Sequence, residues 1–268
     1  MLTLTPAAVA RHRRRLLRRH RVRTARGALR FIDAIGFCFA FTGGPGGLPG
    51  LFDVLATRSI DRMWTWAWQW KDDLVTQRRA YYGKVIRRKP SYVCLKTLPA
   101  FYALSGNVGE PDDYLQAFRE GRLSMLARAI YEHVLASGPI STRALRRLYV
   151  QRGESGDGFH RALDDLQARF LLAKVAEEAE WRNGFVWDAF HRWMPEVVAA
   201  AARLTSEDAA ARVVDRYIRI VGAAPSPEIQ ATFAWTPRLV GAAVVRAGLV
   251  RASVDGADAW TLPGLWAS

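Results

Sequence analysis

A series of elements that occurs twice in the second half of the chain limits its fold more than any other feature. The first copy reads as a helix over LSMLARAIYEHVLAS (123–137), a GPIS turn, a short helix over TRALRRLYV (142–150), a Gly-rich turn and a third helix over FHRALDDLQARF (159–170). The second copy reads as SEDAAARVVDRYIRIV (206–221), a GAAPS turn, PEIQATFAW (227–235) and TPRLVGAAVVRAG (236–248). Leu126, Ile130, Val134 and Leu135 recur at helical spacing, and Phe159, Leu163, Leu166 and Phe170 share one helix face. Ser141 or Thr142 is the expected cap of the second helix, Asp157 of the third. Asn183-Gly184 and Asp255-Gly256 are two-residue hairpin turns between β-prone residues. Three helices followed by a hairpin is the winged-helix arrangement; a plain helical bundle would not need the two hairpin signals.

The first half is less regular. Residues 6–20 and 24–36 read as helices, the loop TGGPGGLPG interrupts, and 58–82 reads as one long helix. KVIRRKPSYVCLK (84–96) reads as a hairpin turning at Arg87 to Pro90, and Thr97 as the cap of a helix with Pro99 in its first turn. The expected fold is therefore mainly α with small β-hairpins: tandem winged-helix domains at 1–110 (irregular, with a basic arm and a Trp-rich helix), 120–195 and 200–268.

Charge suggests the partner. The 268 residues carry a net charge of +14, and residues 1–30 hold ten Arg and no acid. The remainder has 29 basic and 25 acidic residues, so a basic arm sits on a nearly neutral body. A solubility tail or a presequence would also be Arg-rich. Leu16, Leu17, Val22, Leu29 and Phe31 give this segment an apolar side to pack, which favours a phosphate-contacting helix. The expected partner is double-stranded DNA, bound by a monomer; no cofactor, metal or membrane is implied. Cys38 and Cys94 are too far apart for a zinc motif, and FIDAIGFCFAF is too short to span a bilayer. With no apolar leader, a reducing, cytoplasmic and nucleoid-associated location is expected. The five His lack metal-ligand spacing, and the Gly-rich loop lacks the Lys-Ser/Thr of a phosphate-binding loop.

Three stretches carry the candidate binding residues. Arg13, Arg14 and Arg18 lie on the arm. In WTWAWQWKDD, Trp64 and Trp68 form one helical column and Trp66 and Trp70 another. Such rings are either core or a base-stacking surface flanked by Arg58, Arg62, Lys71, Arg78 and Arg79. Two are expected in the core and at least one beside a cleft, with Trp66 the ring assigned to the nucleic acid. Lys84, Arg87, Arg88 and Lys89 sit near the hairpin tip, and Arg143 and Arg147 on the second helix of the first repeat. Asp164 and Asp165 on the helix after it would repel a phosphate backbone, which argues against groove reading there.

Taken together, SYVCLKTLPAFYAL, GPISTRALRR, FVWDAFHRWMPE and RYIRIVGAAPSPEIQATFAW resemble the AlkZ-like DNA glycosylases, which consist of three winged-helix units. The resemblance implies a Gln-x-Gln or Gln-x-Asp pair, just after the second helix of the first unit, that positions the attacking water. The matching stretch IGFCFAF puts Cys38 and Ala40 there. Neither activates water as an amide or carboxylate does. Gln69, Asp72 and Asp73 on the Trp helix are the remaining candidates for a displaced catalytic group. Three functions follow: a DNA-binding relative of the glycosylases without their catalytic pair, an active glycosylase for alkylated or bulky bases, or a winged-helix transcriptional regulator.

Overall fold

The computed structural model describes residues 2–178 and 184–266. The described residues are mainly helical and form three small sheets. Its elements in order are β1 (Leu2–Leu4), α1 (Pro6–Arg18), α2 (Ala25–Ile35), β2 (Phe37–Phe39), α3 (Ile60–Thr76), β3 (Ala80–Ile86), β4 (Lys89–Cys94), α4 (Leu98–Ala103), α5 (Tyr114–Arg119), α6 (Met125–Ser137), β5 (Ile140–Ser141), α7 (Thr142–Tyr149), α8 (Asp157–Ala168), β6 (Leu172–Glu177), β7 (Phe185–Ala189), α9 (Phe190–Trp193), α10 (Pro195–Ala201), α11 (Ser206–Val221), β8 (Ala223–Ala224), α12 (Ser226–Phe233), α13 (Pro237–Arg246), β9 (Val250–Val254) and β10 (Ala257–Thr261).

One order recurs three times: helix, short strand, a linking turn or helix, helix, hairpin. It is α6-β5-α7-α8-β6-β7 in the middle, α11-β8-α12-α13-β9-β10 at the end and α2-β2-α3-β3-β4 at the start. In each sheet the short strand pairs with the second hairpin strand, giving β2-β4-β3, β5-β7-β6 and β8-β10-β9. In the first unit two 3-10 turns, Pro45–Gly47 and Leu51–Val54, stand where the others have a second helix. The run TGGPGGLPG cannot hold a helix there, because glycine loses too much backbone freedom and proline removes a donor.

Local chemistry explains most boundaries. Ser59, Ser124, Ser141, Thr205 and Thr236 each accept a backbone N–H at the start of the following helix. Asp157 is the first helical residue after Gly156 and makes no cap. Thr97 does not cap α4 either; its hydroxyl lies 3.2 Å from the Cys94 thiol. The Trp-rich helix ends at Thr76, six residues before the expected end, because Ala80–Ile86 pairs as a strand with β4. Asp255 and Gly256 both take positive φ, as a two-residue hairpin turn requires. Asn183 of the other expected hairpin turn lies outside the described residues.

The arm differs from the expected domain layout. Sequence order groups residues 1–20 with the first unit, but β1 adds to the last sheet, pairing parallel with β9 from Leu2–Ala252 to Leu4–Val254. α1 packs on α11 of the same unit. The arm helix is thus not the first helix of the first unit; α2 is.

The first and last units share one core. It joins Phe31, Ile32, Ile35 and Phe37 to Tyr217, Ile218, Val240 and Val244. Fully burying each such aliphatic or phenylalanine side chain contributes about 1.5–3 kcal/mol. Tyr81 stacked on Phe170 and Tyr102 stacked on Phe190 tie the middle unit to this core. The middle unit also has its own core around Ile130, Leu145, Phe159, Leu166 and Trp187.

Candidate nucleic-acid interface

On α1 the two faces do different work. Thr5 caps the helix and Pro6 opens it. On the inward side His12 Nε2 lies 2.9 Å from the Arg219 carbonyl, and Arg13 Nε donates to the Val221 carbonyl at 2.8 Å. Both carbonyls belong to the C-terminal turn of α11, where a cation meets unpaired acceptors and the negative end of the helix dipole. Burial, and then the surrounding arginines, pull the His12 pKa below its usual value even though the carbonyl favours the proton. Arg13 therefore anchors the arm.

The outward side is free. Arg11, Arg14, Arg15, Arg18 and Arg19 line a groove of about 590 Å³ on α1. A second cleft, also about 590 Å³, runs between α1 and the segment leading into α3, lined by Arg14, Arg18, His20, Arg21, Asp53 and Arg58 among others. Asp53 is its one acid among the described residues, and that carboxylate accepts from the Gly50 N–H at 2.9 Å. Arg11, Arg14, Arg15, Arg18, Arg19, Arg21, Arg23, Arg26 and Arg30 are exposed, and none pairs with an acid among the described residues.

The tryptophans of α3 form the two expected columns. Trp66 stacks on Trp70, centroids 5.2 Å apart, and both pack against the core. Trp64 stacks on Trp68 at 6.4 Å on the opposite column, and Trp64 remains 41% exposed. The ring left open is thus Trp64 rather than Trp66. Lys71 is not a surface cation: it is 1% exposed, with Nζ 3.9 Å from the centre of the Trp68 ring. Lys174 is equally buried beside it, and Glu177 and Asp72 balance the pair, with Lys71 Nζ 3.0 Å from Glu177 and Lys174 Nζ 2.7 Å from Asp72. Burial first, and Lys174 second, lower the Lys71 pKa; burial and the adjacent Asp72 raise that of Glu177. Asp72 is therefore occupied by an ion pair, while Gln69 and Asp73 face solvent.

The tip of the first hairpin is tied to the other two units by ion pairs. Arg87 and Arg88 form its two-residue turn, both at positive φ. Arg87 pairs with Glu228 of α12 and Arg88 with Asp165 of α8. Lys84 meets Asp164 at 2.6 Å, and Arg78 pairs with Glu196 of α10. Asp164 and Asp165 thus find cations within the chain. Arg58, Arg62, Arg79, Lys89, Arg143 and Arg147 are exposed with no acid partner among the described residues. Only Arg14, Arg18 and Arg58 of the expected set come together in one cleft. Arg11, Arg15, Arg19 and Arg21 join them there or in the adjoining groove; their signal in the sequence was the acid-free run itself.

Cys38 and Ala40 lie in and just after the short strand β2, 0% and 1% exposed. Cys38 stands opposite Tyr92 in the register with β4, and the Ala40 N–H donates to the Pro90 carbonyl at 2.8 Å. Burial, then the negative charge of Asp53, pushes the Cys38 thiol far above its usual range. Phe37 and Phe39 on either side are buried too, so the wall is apolar. Among the described residues no group of His, Cys, Asp or Glu could hold a metal ion, and no helix is long and apolar enough to cross a membrane.

Comparison with known proteins fits this architecture. No curated protein matches the chain. Among solved structures, the Streptomyces sahachiroi DNA glycosylase AlkZ superposes with a TM-score of 0.58 over 95% of this chain and 68% of that one. The two sequences are 14% identical, so the likeness is one of fold. A family model described as AlkZ related matches residues 22–234, from the end of the arm to the last turn of the third unit's second helix. The chain belongs to the AlkZ-related family.

Proposed function

We propose that this protein binds duplex DNA through three tandem winged-helix units, in a DNA-repair setting, without using the family's polar pair for base excision. The recurring helix–strand–helix–hairpin order with one strand arrangement supports the winged-helix reading. Nine exposed, acid-free arginines on one segment carry the DNA-binding reading. They offer a polyanion dense positive charge that no carboxylate among the described residues pairs with. The grip centres on the α1 cleft rather than on the first hairpin, whose Arg87 and Arg88 already hold carboxylates.

The absence of excision rests on Cys38 and Ala40. A glycosidic carbon is attacked by a water that some acceptor polarises. A buried thiol held protonated and a methyl group supply no such acceptor. The competing reading, an active glycosylase, draws on the family membership and on the fold shared with a DNA glycosylase. Incubation with N-alkylated duplex followed by cleavage of abasic sites separates the two. The expected result is a retarded DNA–protein complex with no abasic strand breaks above the protein-free control. Abasic product at single-turnover protein concentration would establish the competing reading.

A further inference from the structure

We infer that Trp64 is a stacking platform for one unpaired base of a DNA duplex, beside the arginine cleft that holds the backbone. This rests on the DNA-binding proposal and adds what that proposal lacks, a feature of DNA structure for the protein to select.

The platform is built from four rings. Trp64 lies on Trp68 with ring planes 25° apart. Phe52 meets Trp64 edge-on at 5.1 Å, and Phe41 tilts against both tryptophans at 5.1 and 6.1 Å. The buried ammonium of Lys71 sits against the ring of Trp68 and fixes the lower end of the pile. Trp64 thus has rigid support from Trp68, Phe41 and Phe52, and it stays 41% exposed. Ile60, one turn earlier on α3, is 69% exposed. A lone exposed apolar residue would mean nothing. Here two adjoin on the first turns of a helix whose neighbouring cations, Arg58 and Arg62, are exposed and free of acid partners; Asp61 is the one acid between them.

Position and charge together point to the ligand. Residues 53–58 form a wall of the arginine cleft and run straight into the cap of α3 at Ser59. Trp64 therefore lies about 7–8 Å along the helix from the cleft rim, at 1.5 Å per residue. That is about two nucleotide steps at roughly 3.4 Å each along the axis of a strand, so a backbone lying in the cleft brings a nearby base within reach. A paired base is shielded inside the helix stack, but a bulged or unpaired one offers its face. Any base can stack on an indole, so the selection is for unpaired structure rather than for sequence.

The test uses the full chain and two oligonucleotides: a fully paired duplex, and the same duplex carrying one extra, unpaired 2-aminopurine. The wild type is expected to favour the bulged duplex by about tenfold, within what one stacked base contributes, and to quench the 2-aminopurine fluorescence. Trp64→Ala should lose both the preference and the quenching while its affinity for the paired duplex is unchanged; Trp64→Phe should keep most of each. Preference and quenching that survive in Trp64→Ala would overturn the platform. A wild type that binds paired duplex with no preference for the bulge would also overturn it and leave the DNA-binding proposal intact. A wild type that binds neither at low salt would remove both.

Discussion

Position 38 combines the chemistry of a reactive residue with surroundings that silence it. A thiol becomes a nucleophile only as thiolate, and an apolar, fully enclosed strand penalises the charged form. The negative charge of Asp53 adds to that penalty. Cys94 is buried as well, two positions along β4 from the Tyr92 that faces Cys38. The folded protein should therefore fail to react with an aromatic disulfide reagent even near pH 8.5, where a free cysteine is about half ionised. Both thiols should react once the chain is unfolded in guanidinium. Rapid labelling of native protein, mapped to Cys38 by peptide mass, would mean that β2 reaches solvent and that the argument against catalysis there has lost its basis. Much of this was legible beforehand, since cysteine among Phe37, Phe39 and Phe41 reads as interior strand. The influence of Asp53 was not: it comes from a turn that folds back over Gly50 through one carboxylate hydrogen bond.

Between elements, the first two units interlock. Strand β6 of the middle unit lies against α3, and the first hairpin lies against α8. Both helices precede the hairpins of their units, the place that the proposed winged-helix reading gives to the helix offered to the groove. At the α3–β6 contact, Glu177 serves two ammonium groups, those of Lys71 and Lys174. Removing one carboxylate from such a cluster leaves buried positive charge unbalanced, at a cost of about 3–5 kcal/mol for full burial. Glu177 is one-fifth exposed, so Glu177→Ala should lower unfolding stability by about 2–3 kcal/mol in a urea titration. A decrease under about 1 kcal/mol would mean that solvent reaches the lysines and that the contact is a surface one. Sequence marked Lys71 as a cation beside tryptophans and Asp164 and Asp165 as obstacles to groove binding. Their partners lie far away along the chain, beyond any local periodicity. The same holds for β1: Leu-Thr-Leu carries the alternation of a strand, but nothing in it names β9, near the other end of the chain, as its neighbour.

Across the whole molecule, positive charge is sorted into two populations. Lys84, Arg87 and Arg88 of the first hairpin are used to hold three units together, and the arginines of the arm other than Arg13 are presented to solvent. Composition revealed the excess on residues 1–30 and the element order revealed the repeated units, but neither could tell a cation with a partner from one without. That distinction predicts how the proposed DNA binding responds to salt. Neutralising one phosphate-binding cation should reduce the slope of log affinity against log salt by roughly 0.9. Changing Arg14, Arg18 and Arg58 together to Gln should therefore flatten the slope by about 2–3, with unfolding stability unchanged. Changing Lys84, Arg87 and Arg88 to Gln should do the opposite: it should leave the slope near its wild-type value and lower stability, because Asp164, Asp165 and Glu228 are then left without their cations. If the hairpin variant flattened the slope and the cleft variant did not, DNA would have displaced the internal carboxylates, and the hairpin would be a surface that opens on binding. The contrast matters more than either value, since both variants remove three charges and a purely global electrostatic effect would treat them alike.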